Sequence, residues 1–87
     1  MKNKKQLISF PCSFPIKAMG MNTKDFASAV MAISHEHVSS DQLSFSSRLS
    51  SGGKYLSITV TLTAQSQDHL DTIYRALNSH EQVMMTF

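Results

Sequence analysis

The clearest pattern in the chain is the alternation across residues 55–64, YLSITVTLTA. Leu56, Ile58, Val60 and Leu62 fall on one side of an extended chain, and Tyr55, Ser57, Thr59, Thr61 and Thr63 on the other. Side chains alternate across a strand, so period 2 with this many β-branched residues predicts a strand with one apolar face. LSFSSRL, residues 43–49, alternates too: Leu43, Phe45, Ser47 and Leu49 oppose Ser44, Ser46 and Arg48. The short loop between them holds Gly52 and Gly53. Two alternating strands joined this way predict a β-hairpin with one glycine at positive φ.

Two stretches have the helical period instead. In NTKDFASAVMAISHEH, Phe26, Ala29, Val30 and Ile33 fall on one face, with Thr23 as a natural N-cap and Asp25 in the first turn. In SQDHLDTIYRALNSH, Leu70, Ile73, Tyr74 and Leu77 share a face, with Ser66 as N-cap and Asp68 in the first turn. SFPIKAMG, residues 13–20, is expected to be a strand pointing Phe14, Ile16 and Ala18 one way and Pro15, Lys17 and Met19 the other, with Gly20 letting the chain leave it. QVMMTF is expected to be the last strand.

The order is strand, helix, strand, strand, helix, strand. Each strand offers one apolar face and each helix one apolar stripe. The economical arrangement is one four-stranded antiparallel sheet with both helices on one face, an α+β fold of the ferredoxin-like βαββαβ kind. The other sheet face would carry Lys17, Ser44, Ser46, Arg48, Tyr55, Ser57, Thr59 and Thr61.

Composition narrows the function classes. At 87 residues the chain holds one domain, read as residues 10–87, behind a flexible tail over residues 1–9. Net charge is +2, and Lys2, Lys4 and Lys5 supply much of it, so the domain itself is near neutral. It lacks the clustered basic face of a nucleic-acid binder, and no nucleic-acid partner is expected. The apolar stretch after those lysines is too short for a secretory signal, and Pro11 interrupts it. No apolar run is long enough for a membrane span. One cysteine, Cys12, allows no internal disulfide and fits a cytoplasmic protein.

Candidate chemistry is sparse. SSGGKY fails as a phosphate-binding loop: the position five residues before the GK pair is Arg48, the lysine is followed by Tyr55, and a strand follows instead of a helix. His35 and His37, two apart on a helix, point away from each other and cannot chelate one ion. No cofactor or metal is expected. Met19, Met21, Met31, Met84 and Met85 read as core and edge fillers. No spacing of acids identifies a catalytic pair.

FPCSFPIKAMG, SSGGKYLSITVTLTA and IYRALNSHEQVMMTF, with the helix between the first two, resemble the YbeD family of small bacterial proteins along nearly the whole chain from Phe10. The resemblance implies a cytoplasmic bacterial protein with the same fold, related in shape to the ACT domains that regulate enzymes by binding amino acids. It brings no catalytic residues. The expectation is a non-catalytic regulatory or protein-interaction module. Its candidate contact face is Lys17, Arg48, Tyr55, Ser57 and Thr59 with the adjoining sheet edge, taking a protein partner or a second copy as a homodimer. The alternative is a small-metabolite sensor, with a ligand turn at Gly20 and Met21 by analogy with ACT domains.

Overall fold

The computed structural model describes residues 9–87. Strand β1 (Cys12–Met21) is followed by helix α1 (Lys24–His37), a 3-10 turn over Ser40–Gln42, the β2/β3 hairpin (Leu43–Leu49 and Tyr55–Ala64), helix α2 (Gln67–Ser79) and a short β4 (Met85–Thr86). The sheet order is β2-β3-β1-β4, with every neighbouring pair antiparallel. This is the ferredoxin-like α+β fold expected from the element order. The sequence-predicted tail lies outside the described residues except for Ser9.

Local chemistry sets the helix starts. The hydroxyl of Thr23 accepts the backbone N–H of Phe26 at 3.1 Å, and that of Ser66 accepts the N–H of His69 at 3.1 Å. Each satisfies one of the N–H groups that a helix leaves unpaired at its start. In the hairpin, Gly53 stands at φ +75, the one positive φ among the described residues. Its N–H reaches the carbonyl of Ser50 at 2.8 Å, while the Ser50 hydroxyl accepts the N–H of Tyr55 at 3.0 Å. The glycine is needed here because a side chain in the left-handed region meets its own backbone.

Both helices cover one face of β1 and β3. Ile16 and Ala18 from β1, Ile58, Val60, Leu62 and Ala64 from β3, Phe26 and Val30 from α1, and Leu70, Ile73 and Leu77 from α2 form one buried cluster. The one buried polar side chain among the described residues, Ser34, donates to the carbonyl of Val30 at 2.7 Å. Burying a hydroxyl is tolerated because it is hydrogen-bonded. No buried side-chain nitrogen or oxygen among the described residues lacks a partner.

Two boundaries differ from the sequence expectation. Gly20 does not end β1: the strand runs to Met21, and the turn falls at Asn22 and Thr23, where Asn22 is tied to the hairpin by its N–H to Lys54 O at 3.0 Å and its side-chain amide to Gly53 O at 3.1 Å. β4 is far shorter than QVMMTF. After α2 the chain turns through His80, which accepts the N–H of Gln82 on Nδ1 at 3.1 Å and that of Val83 on its carbonyl at 3.0 Å. Val83 is thereby buried in the core, and only the last residues reach β1.

Candidate functional site

The uncovered sheet face can be read row by row from the strand register. Arg48 lies beside Ser57, Ser57 beside Met19, and Met19 beside Met85. In the next row Ser46 lies beside Thr59 and Thr59 beside Lys17. Lys17 and Phe87 then exchange reciprocal backbone hydrogen bonds at 2.9 and 2.8 Å, which extends that row to the end of the chain. Further along are Ser44, Thr61 and Pro15. Alternation puts all these side chains opposite the buried set.

Four of the five residues expected at the contact face come together. Lys17, Arg48, Ser57 and Thr59 line one shallow depression of about 290 Å³ with Ser46 and Ser47. Tyr55 does not join them. It stands at the start of β3 beside Met21, with the Lys54 ammonium 5.4 Å from its ring centroid. The depression therefore holds two cations and the hydroxyls of Ser46, Ser57 and Thr59, whereas Ser47, paired with Ile58, turns its side chain to the other face. No acidic side chain lies in its lining; Asp41 sits at the far end of the face, near Ser44 and Thr61.

The other half of the face is apolar, which the sequence reading missed. Met21, Met85 and Phe87 are 42%, 49% and 55% exposed, and Met19 is half-buried beside Met85. Met31 and Met84 are exposed as well, so of the core and edge fillers expected of the five methionines none lies in the buried core, while Met85 does stand on the edge strand β4. The signal for Met19 was present in the parity of β1. For Met85 and Phe87 there was none, because two paired residues show no period. Lys17 stands at the boundary of the two halves, its ammonium 5.4 Å from the Phe87 ring centroid.

The proposed ligand turn looks different in space. Gly20 is buried. A Cβ placed on it would stand 2.7 Å from Cε1 of Phe26 and 2.6 Å from the backbone oxygen of Gln82. The glycine answers a packing demand under the Phe26 ring, and the space beside it is already filled. Met21 next to it is exposed.

Elsewhere, an apolar cleft of about 200 Å³ runs between α1 and the hairpin, lined by Ala27, Met31, Phe45 and Leu56 among others. His35 stacks at a tilt on Phe45, with ring centroids 5.8 Å apart. Among the described residues no three His, Cys, Asp or Glu side chains converge as metal ligands would. Cys12 is half-buried against the core. No helix among the described residues is long and apolar enough to cross a membrane.

The chain is similar to known proteins over most of its length. Residues 5–87 match the family described as "Protein of unknown function (DUF493)". A "UPF0250 protein" of Neisseria gonorrhoeae is 45% identical over 83 residues, which cover 94% of this chain and 91% of that one. One from Paraburkholderia phymatum is 44% identical over 78 residues, 88% of each chain, and one from Shewanella amazonensis 41% over 78 residues, 90% of this chain and 88% of that one. In three dimensions the solution structure of protein HP0495 from H. pylori superposes with a TM-score of 0.74 at 18% identity, covering 100% of this chain and 94% of that one, a likeness of fold alone. The chain thus belongs to the DUF493 (UPF0250) family of small bacterial proteins, the YbeD-type family that its motifs resemble.

Proposed function

We propose that this protein is a non-catalytic interaction module of the bacterial cytoplasm, regulatory in role, which works through the open face of its sheet. The observation that carries this reading is the depression where Lys17 and Arg48 meet the hydroxyls of Ser46, Ser57 and Thr59 on a face that no helix covers. Its side chains can hold a partner by many hydrogen bonds. With no carboxylate or imidazole in the lining, none is placed to activate a hydroxyl as a nucleophile. Arginine and tyrosine are also the residue types that most often dominate binding energy at interfaces, and Arg48 and Tyr55 both project from this face.

The test is the double replacement Arg48→Ala with Tyr55→Ala in the full chain. Neither side chain belongs to the buried cluster, so the melting temperature should stay near that of the parent. Association with a protein partner, or a self-associated species in sedimentation, should be lost. Association that survives the double variant at unchanged stability overturns the reading and moves the contact to the apolar cleft beside α1.

A further inference from the structure

We propose that the open face receives an amphipathic helix of another protein, with the helix's apolar stripe on the β1–β4 half and an acidic flank toward Lys17 and Arg48. This rests on the open face being the contact surface and adds the chemistry of what lies on it.

The division of the face argues for such an occupant. Met19, Met21, Met85 and Phe87 gather on the β1–β4 side, and Arg48 with the hydroxyls on the β2–β3 side. Exposed methionines are flexible and polarisable, and they repack around an apolar insert. Contiguous exposed apolar surface with a polar rim is the mark of an interaction site. An acidic flank would pair with Lys17 and Arg48 and meet no acidic side chain within the depression.

Charge also selects against a second copy. Two copies meeting face to face through a two-fold axis present the same patch to each other. Cations would then gather on both sides of the interface with no acidic side chain in either depression, and like charges across an interface are costly.

Geometry favours a helix over an extended segment. In the interior of a sheet the backbone hydrogen-bonding groups are used up by neighbouring strands, so an occupant of the face must bind by side chains. Four strands at about 4.8 Å spacing make a face about 19 Å wide, and a helix with its side chains is about 10–12 Å across. One helix therefore covers about the apolar half and leaves its flank over the cationic half. The core face already packs helices on β1 and β3. A third helix opposite would complete the layered arrangement that sheets with two covered faces adopt.

The probe is a side-chain-stapled helical peptide of about 15 residues, long enough for four turns, with leucines at i, i+3, i+4 and i+7 and glutamates along one flank. It is titrated into the full chain while backbone amide resonances are followed. Shifts should centre on Lys17, Met19, Ser57, Met85 and Phe87. A twin peptide with lysines for the glutamates should bind about tenfold more weakly or worse. Lys17→Glu with Arg48→Glu should reverse that preference, and Met85→Ser with Phe87→Ser should abolish binding of both peptides.

Equal affinity for the two peptides, no binding, or equal binding of a scrambled acidic peptide lacking the stripe would overturn the helix inference. If a peptide binds without those preferences and its shifts still map to the open face, the interaction-module reading stands without the helix. Shifts confined to the β2 edge or to α1 sink both. A single-stranded RNA oligonucleotide that displaces the acidic peptide from the same residues would replace the helix by a nucleic acid.

Discussion

His69 joins the two helices through a single ring: its Nε2 lies 2.9 Å from the backbone oxygen of His37, the last residue of α1. On the other side, Nδ1 accepts the N–H of Gln65 at 3.0 Å. An Nδ1 that accepts leaves the proton on Nε2, so the ring donates to the carbonyl. One side chain therefore satisfies a helix-end carbonyl and the N–H of the residue before the α2 N-cap. Replacing His69 by Leu strands both backbone groups and should cost about 1–3 kcal/mol in urea unfolding. A cost under about 0.5 kcal/mol would mean that water substitutes for the ring at both ends.

The three glycines should respond in three different ways to alanine. Gly20→Ala drives a methyl into the Phe26 ring and the Gln82 backbone and should destabilise by about 1–3 kcal/mol or more, since backbone cannot move aside cheaply. Gly53→Ala meets no neighbour but keeps φ +75, which costs about 1–2 kcal/mol. Gly52→Ala meets open space at an ordinary φ and should be neutral or stabilise by up to about 1 kcal/mol through the unfolded chain. Denaturant midpoints of the three variants check the order. A mild Gly20→Ala would show that the Phe26 ring can shift, and would reopen that turn to a ligand.

These outcomes also mark what was legible in the sequence. Ile58, Val60 and Leu62 were readable as buried because a strand covered on one face writes its period into the residues. A glycine at positive φ between β2 and β3 was readable because the turn demands a conformation that few residues adopt, but the choice of Gly53 over Gly52 was not. The parity of β1, β2 and β3 alone puts Lys17, Arg48, Ser57 and Thr59 on one face, as the strand register has them. Gly20 was misread because its constraint comes from Gln82, far along the chain, and from a ring on the following helix. Met85 and Phe87 were missed for a related reason: β4 has no pattern of its own, and β1 decides which way its side chains point.

The two faces of β3 should differ sharply in stability cost. Ile58 is 4% exposed within the buried cluster, so Ile58→Ala should cost about 2–5 kcal/mol. Thr59 faces the depression, and Thr59→Ala should cost under about 1 kcal/mol, mostly through strand preference. Equilibrium unfolding of both variants decides it. A larger loss at Thr59 would mean that the open face is already covered in solution.

Alkaline pH should weaken the fold in part through Tyr74. Burial raises its phenol above the ordinary value of 10.0. The folded state then holds this proton more tightly than the unfolded state does. The contribution is complete below the unfolded value, near pH 10, and is lost as pH rises through the folded one. Stability measured by urea unfolding between about pH 9 and 11 should fall with pH, and Tyr74→Phe should flatten that fall. The same slope in both proteins would assign the alkaline loss to other groups.

The end of the chain tests whether the apolar half of the open face is spare for binding. Val83 is buried, and Val83→Ala should cost about 1–3 kcal/mol by leaving a void in the buried cluster. Phe87 is 55% exposed and its ring meets the Lys17 ammonium at 5.4 Å, a contact worth about 0.5–1 kcal/mol at an exposed site. Phe87→Ala should therefore cost no more than that. The reciprocal backbone bonds between Lys17 and Phe87 need no ring, so both amides should stay protected from hydrogen exchange in the variant. A Phe87→Ala cost matching that of Val83→Ala would make the ring part of what holds β4 to the sheet. It would then no longer be free to repack around a partner, and the surface left for a docked helix would shrink to the methionines.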